Sequence, residues 1–204
     1  FTPIVMTLDN AEEAYPHWGI SQADIIFQVP NAGAGVTKLL ALFGDHYPAQ
    51  AGPVRSGRAS MVPVAASFNA AMAFGGPPAA AWEDNVNLDT LFANLGMAKT
   101  HRVYNLLNNN GFATRRKDAE KNGHNLSCNV SAIHENLLNK EVDFQVRPFL
   151  FADTPRTDGA AAGQIRVLHR GEKKNAGSKS ASRAVFIYDP ATGQYSRRNS
   201  ICLY

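Results

Sequence analysis

Cysteine is scarce in this chain, and that scarcity excludes two kinds of architecture. Only Cys128 and Cys202 occur, which excludes a disulfide-dense scaffold and a zinc site with four cysteine ligands, although one disulfide between the two stays open. Long apolar runs are lacking as well, since no stretch approaches the roughly 20 residues that a membrane-spanning helix needs. An excess of charge is also lacking: the net charge of +3 does not indicate nucleic acid as a partner. Any attraction for an anion must therefore come from a local group of residues.

The chain does have the composition of a folded globular protein. Of its 204 residues, 45% are hydrophobic and 18% are charged, which suits one large domain or an ordinary domain followed by a smaller one. The first residue is Phe1 instead of methionine. This indicates a processed or trimmed product and leaves a removed export signal or lipid anchor open.

Hydrophobic patterning predicts a mixed α/β main domain. Four apolar runs rich in strand-forming residues are predicted as strands, at 3–8, 25–29, 36–43 and 70–74. Apolar residues at helical spacing predict helices at 54–68, with a kink or a division into two short helices at Pro63, at 88–95, and through Ile133 and Leu138. Ser127 or Ser131 is expected to cap the last helix. Further extended segments are predicted at 99–106 and 144–151.

The end of the chain is predicted to be smaller and rich in β-structure. Three short strands are expected at 164–168, 183–188 and 194–197, the last two joined by a tight turn. We place a domain boundary after residue 155. Residues 1–155 then form an α+β domain with a central mixed sheet and flanking helices, and residues 156–204 form the start of a second domain that is cut short.

Positive charge is concentrated in the run Gly52-Pro53-Val54-Arg55-Ser56-Gly57-Arg58. Glycine and proline here predict the start of a helix. Arg55 and Arg58 would then project from one helical face, beside the backbone N–H groups of the first turn. Together with the Ser56 hydroxyl, they would suit a carboxylate or phosphate. The alternative is a structural role in which the arginines pair with Asp9, Asp24 or Asp45.

Three other pairs of residues are candidates for the same site. Asp9-Asn10 follows the first strand, where open α/β sheets bind ligands, although a turn in which Asp9 bonds nearby backbone is the alternative. Gly75-Gly76 follows the fourth strand and allows a ligand to approach the backbone closely. His124-Asn125 offers either a titrating imidazole or a buried histidine held by main chain. The ligand-binding candidates are Asp9, Asn10, Arg55, Ser56, Arg58, Gly75, Gly76, His124 and Asn125.

Other kinds of site find little support in the sequence. A serine hydrolase built on Ser56 and His124 lacks a Gly-x-Ser-x-Gly elbow. The six histidines include no tight ligand pair, so we expect no metal. The run at 32–35 has neither the Gly-Lys-Ser/Thr ending of a phosphate loop nor a dinucleotide fingerprint. We therefore expect no cofactor.

Five motifs in order resemble those of the YerB family of bacterial lipoproteins, a domain of unknown function (number 3048). They are residues 5–10, 19–27, 40–43, 52–58 and 124–126. Residues 185–197 are similar to the start of that family's smaller C-terminal domain. The resemblance implies an extracytoplasmic protein, anchored at the membrane by an N-terminal lipid on a cysteine upstream of Phe1 that this chain lacks.

Two departures from the family pattern bear on chemistry. Gln28 stands where family members usually carry an acid, and residues 32–38 replace a Glu-Gly-Gly turn followed by Thr-Arg. This chain thus has an amide, Gln28, in place of the acid and a lysine, Lys38, in place of the arginine. Both replacements favour binding over catalysis. Residues 199–204 do not resemble the family's continuation, as expected for a second domain that is cut short.

The sequence therefore favours a binding protein of the cell envelope. Its expected ligand is an anionic envelope component, either a wall polymer or a peptidoglycan fragment, held in an arginine-lined cleft. One alternative is an envelope hydrolase or transferase that uses His124 with an aspartate. Another is a scaffold that binds other envelope proteins by strand addition near Tyr195.

Overall fold

The computed structural model of the protein describes residues 1–30, 37–77, 87–108, 111–118, 124–145, 154, 158–168 and 183–199. The strands in these ranges are β1 Ile4–Asp9, β2 Ile25–Pro30, β3 Thr37–Phe43, β4 Ala71–Phe74, β5 Val103–Asn105, β6 Ala113–Arg115, β7 Leu126–Cys128, β8 Gln164–Leu168, β9 Arg183–Asp189 and β10 Gln194–Asn199. The α-helices are α1 Val62–Ser67, α2 Leu88–Asn94 and α3 Val130–Asn139. Single turns of 3₁₀-helix occur at Glu12–Ala14, Ile20–Gln22, Ala59–Met61 and Leu106–Asn108.

Five strands form a mixed central sheet in the order β2-β3-β1-β4-β5. The pairs β2/β3 and β1/β3 are antiparallel, whereas β1/β4 and β4/β5 are parallel. The predicted central mixed sheet with flanking helices is confirmed. Since β1 and β4 run the same way, their carboxyl ends meet at one edge of the sheet.

The central sheet is buried on both faces, because side chains alternate along each strand. Ile4, Met6 and Leu8 of β1 pack into one core, which α3 covers with Val130 and Ile133. A second core on the opposite face collects alternate strand residues and residues of α1 and α2, namely Val5, Leu40, Leu42, Met72, Val62, Ala65, Leu88 and Phe92. This double burial explains why the strand runs were almost continuously apolar.

A second sheet of three antiparallel strands, ordered β10-β9-β8, confirms the β-rich C-terminal region. Its outer strands β8 and β10 are the two edges of this sheet. In β10, the Tyr195 hydroxyl donates to the carbonyl of Ala162 at 2.6 Å. Strand addition at this edge stays a prediction.

The prediction of a helix that begins near Gly52 is wrong. Residues 51, 52 and 54 form antiparallel bridges with Cys128, Trp18 and Leu8 respectively. Backbone groups that pair with other strands cannot also form helical hydrogen bonds, so the segment is extended. Helical structure begins only with the 3₁₀ turn before α1, and Pro63 sits in the first turn of α1, where its missing N–H costs no bond.

Two smaller expectations also differ from the structure. Neither Ser127 nor Ser131 caps α3: Asn129 does so, its side chain accepting from the backbone N–H of Ala132 at 3.0 Å. The extended segment expected at 99–106 is confined to β5. The strand expected at 144–151 lies almost entirely outside the described residues. Within the described ranges, no helix is long and apolar enough to span a membrane.

Candidate functional site

The candidate site lies at the edge where β1 and β4 end. Asp9 is the last residue of β1, and Gly75 follows the last residue of β4. Arg55 links the two strands through its backbone, since its N–H donates to the Thr7 carbonyl at 3.3 Å and its carbonyl accepts from the Gly75 N–H at 2.9 Å. The arginine-containing run is therefore a strand-like connection laid across the edge of the sheet.

Asp9 is the centre of the site. Its side chain is 1% exposed and contacts three basic residues on three different parts of the chain. Lys38 Nζ lies 2.6 Å from Oδ1, and Arg55 Nε lies 2.7 Å from Oδ2. His124 Nδ1 lies 3.0 Å from Oδ2, at ion-pair distance but without hydrogen-bond geometry. A nearly buried carboxylate thus joins residues that are distant in sequence.

Opposite charge keeps the Asp9 carboxylate ionised despite its burial. Burial by itself raises the pKa of Asp9, but Lys38, Arg55 and His124 together outweigh it, so the pKa is lowered. Burial also lowers the pKa of Lys38, and the charges of Arg55 and Arg58 lower it further, while Asp9 opposes them. Asp9 and Lys38 are directly paired across β1 and β3, so this contact is fixed by the register of the sheet.

Arg58 and the glycine pair Gly75-Gly76 complete the site around Asp9 and Arg55. Arg58 is 8% exposed, and its Nη1 donates to the Gly57 carbonyl at 3.0 Å. Gly57 in turn donates its N–H to the Gly76 carbonyl at 2.9 Å. A Cβ at Gly76 would lie 2.6 Å from Leu107 Cδ1 on a backbone with φ of +82°, so only glycine suits this turn. We call Lys38, Arg55, Arg58 and His124 the basic cluster.

Three predicted site residues have other surroundings. Asn10 is buried, and its side chain donates to the Thr37 hydroxyl at 2.7 Å. The Asn125 side chain accepts from Arg115 Nη1 at 3.1 Å. Ser56 is half-buried, and its side chain forms no hydrogen bond with the described residues. The structure therefore brings Asp9, Arg55, Arg58, the two glycines and His124 together, and assigns Asn10 and Asn125 to structural bonds.

A cavity of about 300 Å³ adjoins the basic cluster at His124. His17, Trp18 and Arg116 form part of its wall. Of the predicted site residues, His124 alone is among the described residues that line it. His17 Nε2 contacts the backbone carbonyl of Asp9, so two histidines flank this residue. Burial lowers the pKa of His17, against the hydrogen bond to Asp9, so its imidazole favours the neutral form.

Trp18 is held between two other parts of the chain. The guanidinium of Arg116 lies 4.6 Å from the centre of its ring, and Arg116 is in turn paired with Asp118. A Cβ at Gly52 would lie 2.6 Å from Trp18 Cζ2, so the glycine allows close packing there. The Trp18 indole N–H donates to the Ser127 hydroxyl at 3.1 Å. The tryptophan therefore fixes the cavity wall against the extended segment that carries Arg55.

The predicted site residues did not include Lys38, His17 or Trp18, although Lys38 was noted as standing where the family usually has an arginine. A signal for Lys38 was available, because it is the one charged residue in an apolar run predicted to be buried, and a buried charge requires a partner. The contacts of His17 and Trp18 depend on how the loop after β1 folds back, which no local pattern indicates.

The structure supports neither a reactive cysteine nor a metal site among the described residues. Cys128 is a buried thiol whose pKa burial raises to about 12, and Cys202 lies outside the described residues. Asp24, Asp45 and His46 bring ligand atoms within 4.8 Å of one another. All three are exposed, Asp24 accepts from the Gly44 N–H and Asp45 pairs with His46. We assign no metal to them, because exposed acidic groups commonly occur without one.

Comparison with known proteins gives three matches. A family model described as "Protein of unknown function (DUF3048) N-terminal domain" matches residues 2–143. A Bacillus subtilis (strain 168) protein described as "Putative lipoprotein YerB" is 34% identical over 67 residues, which are 33% of this chain and 20% of that protein. The crystal structure of YerB protein from Bacillus subtilis has a TM-score of 0.70 at 21% identity, over 98% of this chain and 61% of that chain. The chain thus spans less than two thirds of the length of these relatives, and the structural match shows a shared fold.

Proposed function

The chain belongs to the DUF3048 family, as its five ordered motifs indicated, and from that premise we propose that it binds an anionic component of the bacterial cell envelope through the basic cluster. The description of its relative as a lipoprotein supports an envelope setting. On this proposal the protein works outside the cytoplasm. Its full-length form is held at the membrane by a lipid on an N-terminal cysteine. Wall polymers and peptidoglycan fragments both carry phosphate or carboxylate groups that arginine recognises well.

The way Arg55 is held is the observation that carries this proposal. Its Nε is fixed by the buried Asp9 carboxylate, yet its side chain is 39% exposed. A guanidinium has five N–H donors in one plane. The bond to Asp9 orients that plane from behind, so less side-chain freedom is lost when an anion binds at its outer side.

The buried members of the basic cluster strengthen the attraction. Lys38 and Arg58 lie almost out of water, where a charge acts over a longer distance than it does at the surface. Asp9 contacts Lys38, Arg55 and His124 with its one carboxylate. The concentration of four basic side chains at one edge of the sheet supports a ligand with a phosphate or carboxylate group.

Arg55→Gln should weaken binding to purified anionic wall polymer by about ten- to a hundredfold, because one charge-assisted hydrogen bond contributes roughly 1.5 to 3 kcal/mol. Binding is measured by co-sedimentation with isolated cell walls and by calorimetry with soluble polymer fragments. Affinity should also fall as salt is raised, since the cluster reaches the surface at Arg55.

Arg166→Gln is the matched control for this experiment. Arg166 is an exposed arginine of β8, and its side chain forms no ion pair with the described residues. The control removes the same charge and should leave binding unchanged. Equal affinities for wild type, Arg55→Gln and Arg166→Gln would contradict the proposal.

A hydrolase or transferase is the second candidate, favoured by the contact between His124 and Asp9. A carboxylate beside one ring nitrogen can orient an imidazole whose other nitrogen serves as a general base. His124 also contributes to the wall of the adjoining cavity. Lys38 and Arg55 weaken this reading, because they neutralise the same carboxylate.

The two candidates are separated by a turnover assay. Muropeptides and phosphodiesters are incubated with wild type, His124→Ala and Arg166→Gln. Turnover that is lost only in His124→Ala would establish an enzyme. If wild type and both variants are equally inactive on these substrates while wild type binds wall polymer, the binding function stands.

A further inference from the structure

A separate cleft of about 480 Å³ lies between the central sheet and the three-stranded sheet. Ile20, Ile26 and Leu39 form its wall on one side, and Val167 and Phe186 form its wall on the other. The volume is within the range of small-molecule sites, which often occur between domains. The basic cluster contributes no residue to this cleft.

The walls of the cleft expose apolar surface to water. Ile26 is 45% exposed and Val167 is 40% exposed, although both are large aliphatic side chains. Single exposed aliphatic residues are ordinary. Here two of them, from two different sheets, face the same cleft, so apolar surface is concentrated in one concave place.

Arg197 of β10 supplies a positive charge at this cleft. Its Nη2 donates to the side-chain carbonyl of Gln28 at 2.9 Å, and no carboxylate pairs with it among the residues that the structure describes. Gln28 is itself neutral and also donates to the Thr37 hydroxyl at 2.8 Å. Among the described residues of the wall, His17 is the other titratable group, and burial favours its neutral form by lowering its pKa. Of these described residues, Arg197 is therefore the one that carries a permanent charge.

We propose that this cleft binds a single-chain anionic amphiphile, a fatty-acid carboxylate, with its acyl chain between the apolar walls and its carboxylate on Arg197. Apolar walls with one guanidinium complement such a molecule in both parts. A helical peptide would occupy roughly 400 to 600 Å³ per turn. The cleft could hold only about one turn of such a helix. An extended acyl chain is thinner and can lie along both walls.

The first test compares head groups on one chain length. Decanoate, decanol and decyltrimethylammonium are titrated into the full chain by calorimetry, the two ionic amphiphiles below their micelle concentrations and decanol below its solubility limit. Decanoate should bind at least about tenfold more tightly than decanol, because of the charge-assisted bonds to Arg197, and the cationic amphiphile should bind most weakly. Equal binding of all three would show adsorption to apolar surface and would overturn the proposal.

The second test uses variants of the exposed residues. Arg197→Gln should reduce the affinity for decanoate to that for decanol, and Ile26→Asp should weaken decanoate by repelling its carboxylate. Arg166→Gln again controls for loss of charge on the second sheet. Circular dichroism checks that each variant is folded. Undiminished binding by folded Arg197→Gln would overturn the proposal.

The same variants distinguish this site from the proposed envelope site. Arg55→Gln should leave decanoate binding unchanged, and Arg197→Gln should leave binding to wall polymer unchanged. Loss of both ligands in either variant would contradict two separate sites.

Discussion

Asp9→Asn is expected to destabilise the protein by about 3 to 5 kcal/mol, which is the usual effect of removing one partner from a buried ion pair. Asn has nearly the same shape as Asp but no charge. Lys38, which is 7% exposed, would then lose its counter-ion, so that it either holds an uncompensated charge or gives up its proton, and both cost free energy. Because Asn has one acceptor oxygen where Asp has two, either Lys38 or Arg55 Nε would also lose its acceptor. The free energy of unfolding is measured by urea denaturation followed by circular dichroism.

The surface pair of Arg116 and Asp118 provides the matched control. Asp118 is 66% exposed and also accepts from an arginine, but exposed pairs contribute little because water and salt screen them. Asp118→Asn should therefore leave the unfolding midpoint nearly unchanged. If both substitutions had the same small effect, the burial of Asp9 would have no energetic consequence and the prediction would be wrong.

A double substitution tests whether the cost comes from the stranded lysine. Lys38→Met replaces the ammonium with an apolar side chain of similar length. In combination with Asp9→Asn it should lose less stability than the sum of the single substitutions, since no uncompensated lysine charge remains buried. Additive effects would show that Asp9 and Lys38 act independently.

The pH dependence of stability gives the same carboxylate a second signature. The pKa of Asp9 is lowered from its ordinary value of 3.8 in the folded protein. Its ionisation therefore contributes stability that is present above that ordinary value and is lost as the pH falls through the folded pKa. Wild type should lose stability below about pH 4, and Asp9→Asn should lose less over the same interval.

The central sheet was predictable because its strands are buried on both faces. Runs such as the one that became β3 are apolar at every position but two, and such runs are typical of strands covered by helices. The end of the chain was predictable for a different reason. Its hairpin has strong turn residues between two short strands, and the structure confirms β9 and β10 on either side of them.

The Gly52 run shows where local reasoning fails. Glycine followed by proline is common at helix starts, but the same pair also suits a tight extended passage between strands. The deciding contacts are with Trp18 and Cys128, which lie far away in sequence. Arg55 consequently reaches the site through its backbone bonds to two strands, although the prediction placed it on a helix face.

The candidate site was only partly predictable for a similar reason. Asp9 and His124 were identified from strand position and from the family resemblance, but nothing local indicated that they lie 3.0 Å apart. Gln28 was identified as the residue that replaces the acid of other family members. The structure shows what the neutral amide does there, since it accepts from Arg197 and donates to Thr37.

Gly19→Ala should be the most disruptive glycine substitution near the site, and Gly96→Ala is its matched control. The two glycines have φ of +70° and +69°, so alanine suffers the same left-handed backbone strain at both, about 1 kcal/mol. A Cβ at Gly19 would also lie 2.3 Å from the Gln50 carbonyl oxygen and 2.9 Å from Ala51 Cα, whereas at Gly96 nothing lies within 4 Å. Overpacking against backbone should add about 1 to 3 kcal/mol at Gly19 alone.

This clash should also move a specific part of the site. Trp18 and Gly52 exchange two backbone hydrogen bonds of 3.0 Å next to Gly19, so the chain at 17–19 must shift away from residues 50–52. Trp18 fluorescence should change, while the Asp9–Lys38 pair, held by the register of β1 and β3, keeps its pH signature. Equal losses of stability at Gly19 and Gly96 would mean that residues 50–52 give way freely. The close packing of Trp18 against the extended segment that carries Arg55 would then contribute nothing to stability.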